Sequence, residues 1–117
     1  LYHAPDPLGY LRRVRSVTAG TAVVETVVDL LDHPRPAMAY YPGAALNGDA
    51  SNHFGPNPAA VEGLLLDAEF SEVEAFEPWH TNPDWAVDQG APVGRLERLR
   101  RRFRGPRSGR QVFHARP

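Results

Sequence analysis

Leu8, Leu11, Val14 and Val17 recur every third residue, which places them on one face of a helix. Asp6 suits the N-cap and Pro7 the first turn, while Arg12, Arg13 and Arg15 fall largely on the opposite face. Gly20 is placed to end the helical region in a left-handed conformation. The pattern predicts a helix over residues 7–17. Residues 21–28 (Thr-Ala-Val-Val-Glu-Thr-Val-Val) are then apolar and β-branched with almost no alternation. Such a run predicts a strand covered on both faces, the situation of a central parallel strand.

Residues 29–57 break this regularity with Pro, Gly, Asn and Asp around an apolar island at 37–41. A loop of this length in a small domain suggests a lid or substrate loop. Asn57 and Pro58 open a second helix, with Val61, Leu64, Leu65 and Ala68 as its buried stripe. Residues 71–77 alternate, with Val73 and Ala75 on one face and Glu72 and Glu74 on the other, as in an antiparallel strand. Residues 78–92 read as loop, 94–104 as a basic helix with Leu96, Leu99 and Phe103 inward, and 110–116 as a last short strand. The chain is thus expected to be α/β, a parallel strand plus an antiparallel edge pair with helices packed on it.

With 117 residues, the chain is long enough for one small domain with a modest core. It lacks cysteine, so disulfides and thiolate metal sites are excluded. Its apolar runs are far too short for a membrane span, and the expected compartment is the cytoplasm. All 13 basic side chains are Arg. They are unevenly placed: residues 1–92 carry four against thirteen acids, a net of −9, and residues 93–117 carry nine against Glu97, a net of +8. This asymmetry predicts an anionic partner for the tail or packing of the tail on the acidic part.

The ordered motifs carry a resemblance. Leu1-Tyr-His3 ahead of Asp6-Pro-Leu8, followed by Val23-Val-Glu-Thr26, resembles the second half of class I S-adenosylmethionine-dependent methyltransferases. The branch it looks most like contains the tRNA wobble-uridine carboxymethyltransferase. Tyr41-Pro-Gly43, Leu46-Asn-Gly-Asp49 and Asn52-His-Phe-Gly-Pro-Asn57 are similar to that branch's substrate loop, and residues 110–117 to its closing strand. The likeness is weakest over residues 79–105.

The resemblance implies the C-terminal half of a seven-stranded Rossmann-like sheet, whose last strand lies antiparallel beside the fifth. Leu1-Tyr-His3 would be the tip of the fourth strand, leaving a free edge on the fifth that is prone to pairing. The N-terminal cofactor-binding half would be missing, since the chain holds no G-x-G-x-x-G loop. A fragment of this kind is expected to be inactive alone. The chain also departs from the family's pattern. The second helix ends Ala68-Glu-Phe70 where such enzymes carry Ala-Gly-Phe, so Glu69 must either take a positive φ or end the helix differently. His53 stands where relatives carry an aromatic ring.

The resemblance implies S-adenosyl-L-methionine, or a carboxylated derivative, as cofactor and a small molecule or tRNA wobble uridine as acceptor. By residue match, Tyr2 and Arg110 would bind the carboxylate of the carboxylated cofactor, a chemistry that suits a phenol and a guanidinium. The competing readings are that Tyr2 packs under the loop and Arg110 pairs with a surface acid. His3 and Glu25 are the catalytic candidates. His3 suits a general base, since a free imidazole ordinarily titrates near neutrality, or else it hydrogen-bonds backbone. Glu25, in a strand read as buried, needs a partner such as an arginine or a substrate hydroxyl.

Thr26, Tyr41, Asn47, Asn52 and His53 are candidates for substrate binding; Asn57 reads as a cap, and the loop's other Asn and Asp residues suit turns. No histidine has ligand spacing with carboxylates, so no metal is expected. A reading of another class is a non-catalytic module whose Arg-rich stretch, residues 95–110, binds nucleic acid or a partner chain.

Overall fold

The computed structural model describes residues 1–82 and 108–117. Helix α1 spans Pro7–Val17, and the Asp6 carboxylate accepts the Gly9 N–H at its start, at 2.9 Å. The helix stops short of Gly20, which is not left-handed. Thr18 caps it instead: its backbone N–H donates to the Arg15 carbonyl, and its hydroxyl donates to the Val14 carbonyl at 2.8 Å. A hydroxyl bonded back to the preceding turn competes with helix continuation, which the glycine expectation overlooked.

Strand β1 spans Ala22–Val28, β2 Met38–Tyr40 and β3 Phe54–Pro56; helix α2 spans Pro58–Asp67, and β4 Glu72–Ala75, β5 Trp79–Asn82 and β6 Ser108–Arg116 follow. The main sheet has the order β1-β6-β4, with β5 also on β6. Every pairing among the described residues is antiparallel, which corrects the parallel setting expected for β1. Because β6 is antiparallel to both β1 and β4, those two strands run in the same direction without touching. The apolar run of β1 reports burial, not the direction of a neighbour. Only Thr26, Val27 and Val28 are covered on both faces, while Val23 is 64% exposed.

The register puts Ala22, Val24, Thr26 and Val28 on the same sheet face as Ala115, Phe113 and Gln111 of β6 and Val73 and Ala75 of β4. The core forms there. Ala22, Val28, Phe113 and Ala115 pack with Leu11 of α1, Val61 and Leu65 of α2, and Ala68 and Phe70 beyond it. Burying a side chain such as Phe113 or Leu65 stabilises by roughly 2 to 3 kcal/mol. The other sheet face is far less covered and shows Val23, Phe76 and Trp79.

Helix α2 has the expected cap and stripe. Asn57 Oδ1 accepts from the Ala60 N–H at 2.9 Å, and Val61, Leu65 and Ala68 are buried with Leu64 packed beside them. Its end settles the Glu69 alternative: the residue takes φ +71, and its carbonyl accepts from Arg15 Nε at 2.8 Å. The carbonyl contact ties α2's exit to α1.

Two stretches expected as loop contain strands. Residues 38–40 pair with 54–56 as the two-stranded sheet β2–β3, inside the loop of residues 29–57. Thirteen residues separate the partners, so no local pattern announces their pairing. β5 extends over Trp79–Asn82 because β6 begins at Ser108, earlier than expected, and offers a free edge beyond the end of β4. The expected basic helix of residues 94–104, Trp85 and the rest of the expected loop lie outside the described residues. Among the described residues, no helix is long and apolar enough to cross a membrane.

Candidate functional site

The carboxyl end of β1 is where the loop sheet docks. Asp29 N–H donates to the Pro56 carbonyl at 3.0 Å, joining β3 to β1's exit. The next link is to the chain's first residues. His53 and Phe54 N–H both donate to the Tyr2 carbonyl, at 2.8 and 3.2 Å. Residues 2–3, residues 49–54 and the adjoining strands β1 and β6 therefore share one corner of the fold.

In that corner the structure brings together residues far apart in sequence. Arg110 Nε donates to Glu25 Oε1 at 2.5 Å, and both side chains are more than a third exposed. Glu25 is thus neither buried nor alone, which corrects the expectation of a buried acid while supplying the arginine partner. The bond to Glu25 is the main cause holding the Arg110 guanidinium above its ordinary value, partly opposed by desolvation. The charge and hydrogen-bonding capacity of Tyr2 add to it, which sets the Tyr2 phenol against the same guanidinium. Arg110 thus pairs with a surface acid, the competing reading, and also lies beside Tyr2.

His3 lies next to this group, its ring centroid 4.0 Å from that of Tyr2. Its Nδ1 sits 3.1 Å from the Ser51 carbonyl and 3.0 Å from Ser51 Oγ. Ser51 Oγ in turn donates to Asp49 Oδ1 at 2.7 Å, and Ser51 N–H donates to the same oxygen at 2.8 Å. Those two bonds, and then the nearby His3 and His53, keep the exposed Asp49 carboxyl below its usual range. His3 also walls a cleft of about 480 Å³ together with Leu1, Ala4, Asp6, Tyr10 and Arg13.

The expected substrate-binding residues divide. His53 is half-buried in the corner, its backbone linked to both Tyr2 and Tyr41. Asn52 is buried; its Nδ2 donates to the Leu46 carbonyl at 2.9 Å, and its Oδ1 has no hydrogen-bond partner among the described residues. Asn47 is exposed at φ +55, a turn position that asparagine tolerates. Thr26 is fully buried on the core face opposite Gln111, its hydroxyl 3.2 Å from the Val27 carbonyl.

Tyr41 is also buried, and its hydroxyl donates to Asp29 Oδ2. Burial first, then the bond to Asp29 and its charge, push the Tyr41 phenol far above its ordinary value. Its single hydroxyl proton is thus committed to Asp29.

Sequence reasoning passed over Asp29 and Ser51. Asp29 is buried, accepting from Tyr41 and from the Leu30 N–H at 2.6 Å. The available signal was the transition from Val27-Val28 to Asp29-Leu30, an acid directly after a buried strand. Ser51 had no such mark, being one polar residue among many. Asn57 proved more than a cap: it also accepts from Ala37 N–H and donates to the His33 and Arg35 carbonyls. Most of the Arg-rich stretch lies outside the described residues. Among the described residues, no group of three or more His, Asp or Glu is placed to hold a metal ion. No protein-family model and no curated protein matches the chain.

Proposed function

We propose that this chain forms the acceptor-side part of an S-adenosylmethionine-dependent methyltransferase, acting with a glycine-rich cofactor half. The observation that carries the reading is the meeting of Tyr2, Glu25 and Arg110 at one corner, beside His3. The same residues are those matched to the family's motifs. Strand β6 lying antiparallel beside β1 also agrees with the expected place of the family's last strand.

The fit to the cofactor is partial. A phenol beside a guanidinium suits an anionic group. The chain has no G-x-G-x-x-G loop for the adenosyl part, so those contacts belong to another segment. When bound, the cofactor supplies an electrophilic methyl, or carboxymethyl, carbon on a sulfonium.

This chain's residues orient the acceptor and take its proton. Tyr2 and Arg110 would hold the cofactor's carboxylate, and the sulfonium would supply the carbon and leave with the bonding electron pair. His3 accepts the acceptor's proton on Nε2. Glu25 holds Arg110 in place through Oε1. The half-buried His53 and the cleft along α1 contribute the surface against which a small molecule or a tRNA uridine rests.

The test is transfer of labelled methyl from S-adenosylmethionine to bulk tRNA and to small-molecule extract by the full-length gene product. Incorporation that falls about a hundredfold in His3→Gln supports the reading. No incorporation into either acceptor pool, with no cofactor binding by calorimetry, overturns it.

A further inference from the structure

The loop of residues 49–51 does more than cover the corner. Ser51 has a single hydroxyl proton, and it is committed to Asp49 Oδ1 at 2.7 Å. Toward His3, therefore, Ser51 offers only acceptors: its Oγ at 3.0 Å and its carbonyl at 3.1 Å from Nδ1. Two acceptors facing one ring nitrogen require that nitrogen to carry the proton, since two lone-pair sites repel. In the neutral imidazole the other nitrogen, Nε2, is then the acceptor.

We propose that Ser51 and Asp49 are positioning residues for His3, holding it as the Nδ1–H tautomer so that Nε2 takes up a ligand's proton. The inference rests on the methyltransferase reading only for the identity of that ligand. Asp49 acts through Ser51: by accepting both the hydroxyl and the backbone N–H of Ser51, it turns the Oγ lone pairs toward His3. The arrangement differs from a nucleophile relay, in which serine donates to histidine. Here serine accepts from histidine, and Ser51 is no nucleophile.

Long-range ¹H–¹⁵N correlation on histidine-labelled chain tests this, at a pH about two units above the ordinary imidazole value so that the rings are neutral. His3 is assigned by its loss in His3→Gln. The expected spectrum of the unaltered chain shows His3 protonated on Nδ1. In Asp49→Ala the freed Ser51 hydroxyl donates to Nδ1, and a measurable share of Nε2–H form appears. Asp49→Asn keeps a side-chain acceptor for Ser51 and restores the Nδ1–H form.

Nε2–H in the unaltered chain overturns the proposal, and that spectrum decides even if a variant fails to fold. No difference between Asp49→Ala and the unaltered chain also overturns it. The readout needs no cofactor and no turnover. The expected tautomer without methyl transfer therefore leaves the positioning role standing and removes the proposed activity, while the reverse result does the opposite.

Discussion

Arg110 and Glu25 are diagonal, not direct, neighbours across β1 and β6. Arg110 stands opposite Val27 and Glu25 opposite Val112, yet the guanidinium spans the two-residue offset to reach the carboxylate. Diagonal pairs on one sheet face are within reach of long side chains. Because both groups are substantially exposed, the pair contributes little to stability. Glu25→Gln is expected to move the urea midpoint by less than about 1 kcal/mol equivalent. Its larger effect is on ligands: with its acid partner neutralised, Arg110 should bind carboxylate-bearing ligands more tightly. Calorimetry comparing the two chains with such a ligand checks both halves.

The buried Tyr41–Asp29 pair predicts alkaline sensitivity. The phenol's folded value is raised, so the folded state keeps a proton that the unfolded chain releases near pH 10. Stability from this group is complete below that pH and is lost as pH rises beyond it. Urea titrations from pH 8 to 11, a span set around the ordinary tyrosine value, should show the fall. In Tyr41→Phe the Tyr41-dependent part of the fall should vanish. That variant should also be less stable at neutral pH by about 1 to 3 kcal/mol, because the buried Asp29 Oδ2 loses its Tyr41 donor.

Gly55 lies against this pair. A Cβ there would stand 2.6 Å from the Tyr41 hydroxyl and 2.9 Å from Asp29 Cβ. Gly55→Ala should therefore cost about 1 to 3 kcal/mol by overpacking. Combining it with Tyr41→Phe, which removes the nearest atom, should cost less than the sum of the two. A double-mutant cycle by urea melts measures the difference.

Glu69 occupies the left-handed region at φ +71, where a side chain is strained. Glu69→Gly keeps the backbone carbonyl that accepts from Arg15, so strain is relieved without losing that link. The expected gain is up to about 1 kcal/mol, seen as a higher melting temperature.

Asn57→Ala should be the most damaging of these substitutions, at about 3 kcal/mol. It removes a helix cap and also leaves the Ala37 N–H and the His33 and Arg35 carbonyls short of a partner. Asn57→Asp keeps the cap acceptor but not the amide donor, and its loss by urea melts should be intermediate.

Elements built from local signals were legible in the sequence, and pairings at a distance were not. The Asp6 and Asn57 caps and the three- and four-residue apolar spacings mark α1 and α2 because each depends on residues within a few positions. The alternation of Glu72, Val73, Glu74 and Ala75 marks β4 for the same reason. The continuous apolar run of β1 misled about its neighbour, since composition carries burial and not strand direction. β2 and β3 could not be foreseen as partners, because nothing in Met38–Tyr40 specifies Phe54–Pro56 across the intervening turns.

The site shows the same division. Tyr2, His3, Glu25 and Arg110 were singled out from motif likeness, and the fold brings them to one corner. Thr26 is a ligand candidate by its place near a strand's carboxyl end and Tyr41 by its place in the loop likened to a substrate loop, but both side chains are buried. Ser51 was invisible because its importance comes from what folds against it.

The Tyr2 carbonyl accepting from both His53 and Phe54 has a dynamic consequence. One oxygen ties the loop to the segment that carries the Tyr2 phenol and the His3 ring, so the three open as a single cooperative unit. The amides of His53 and Phe54 should exchange with solvent at matched rates.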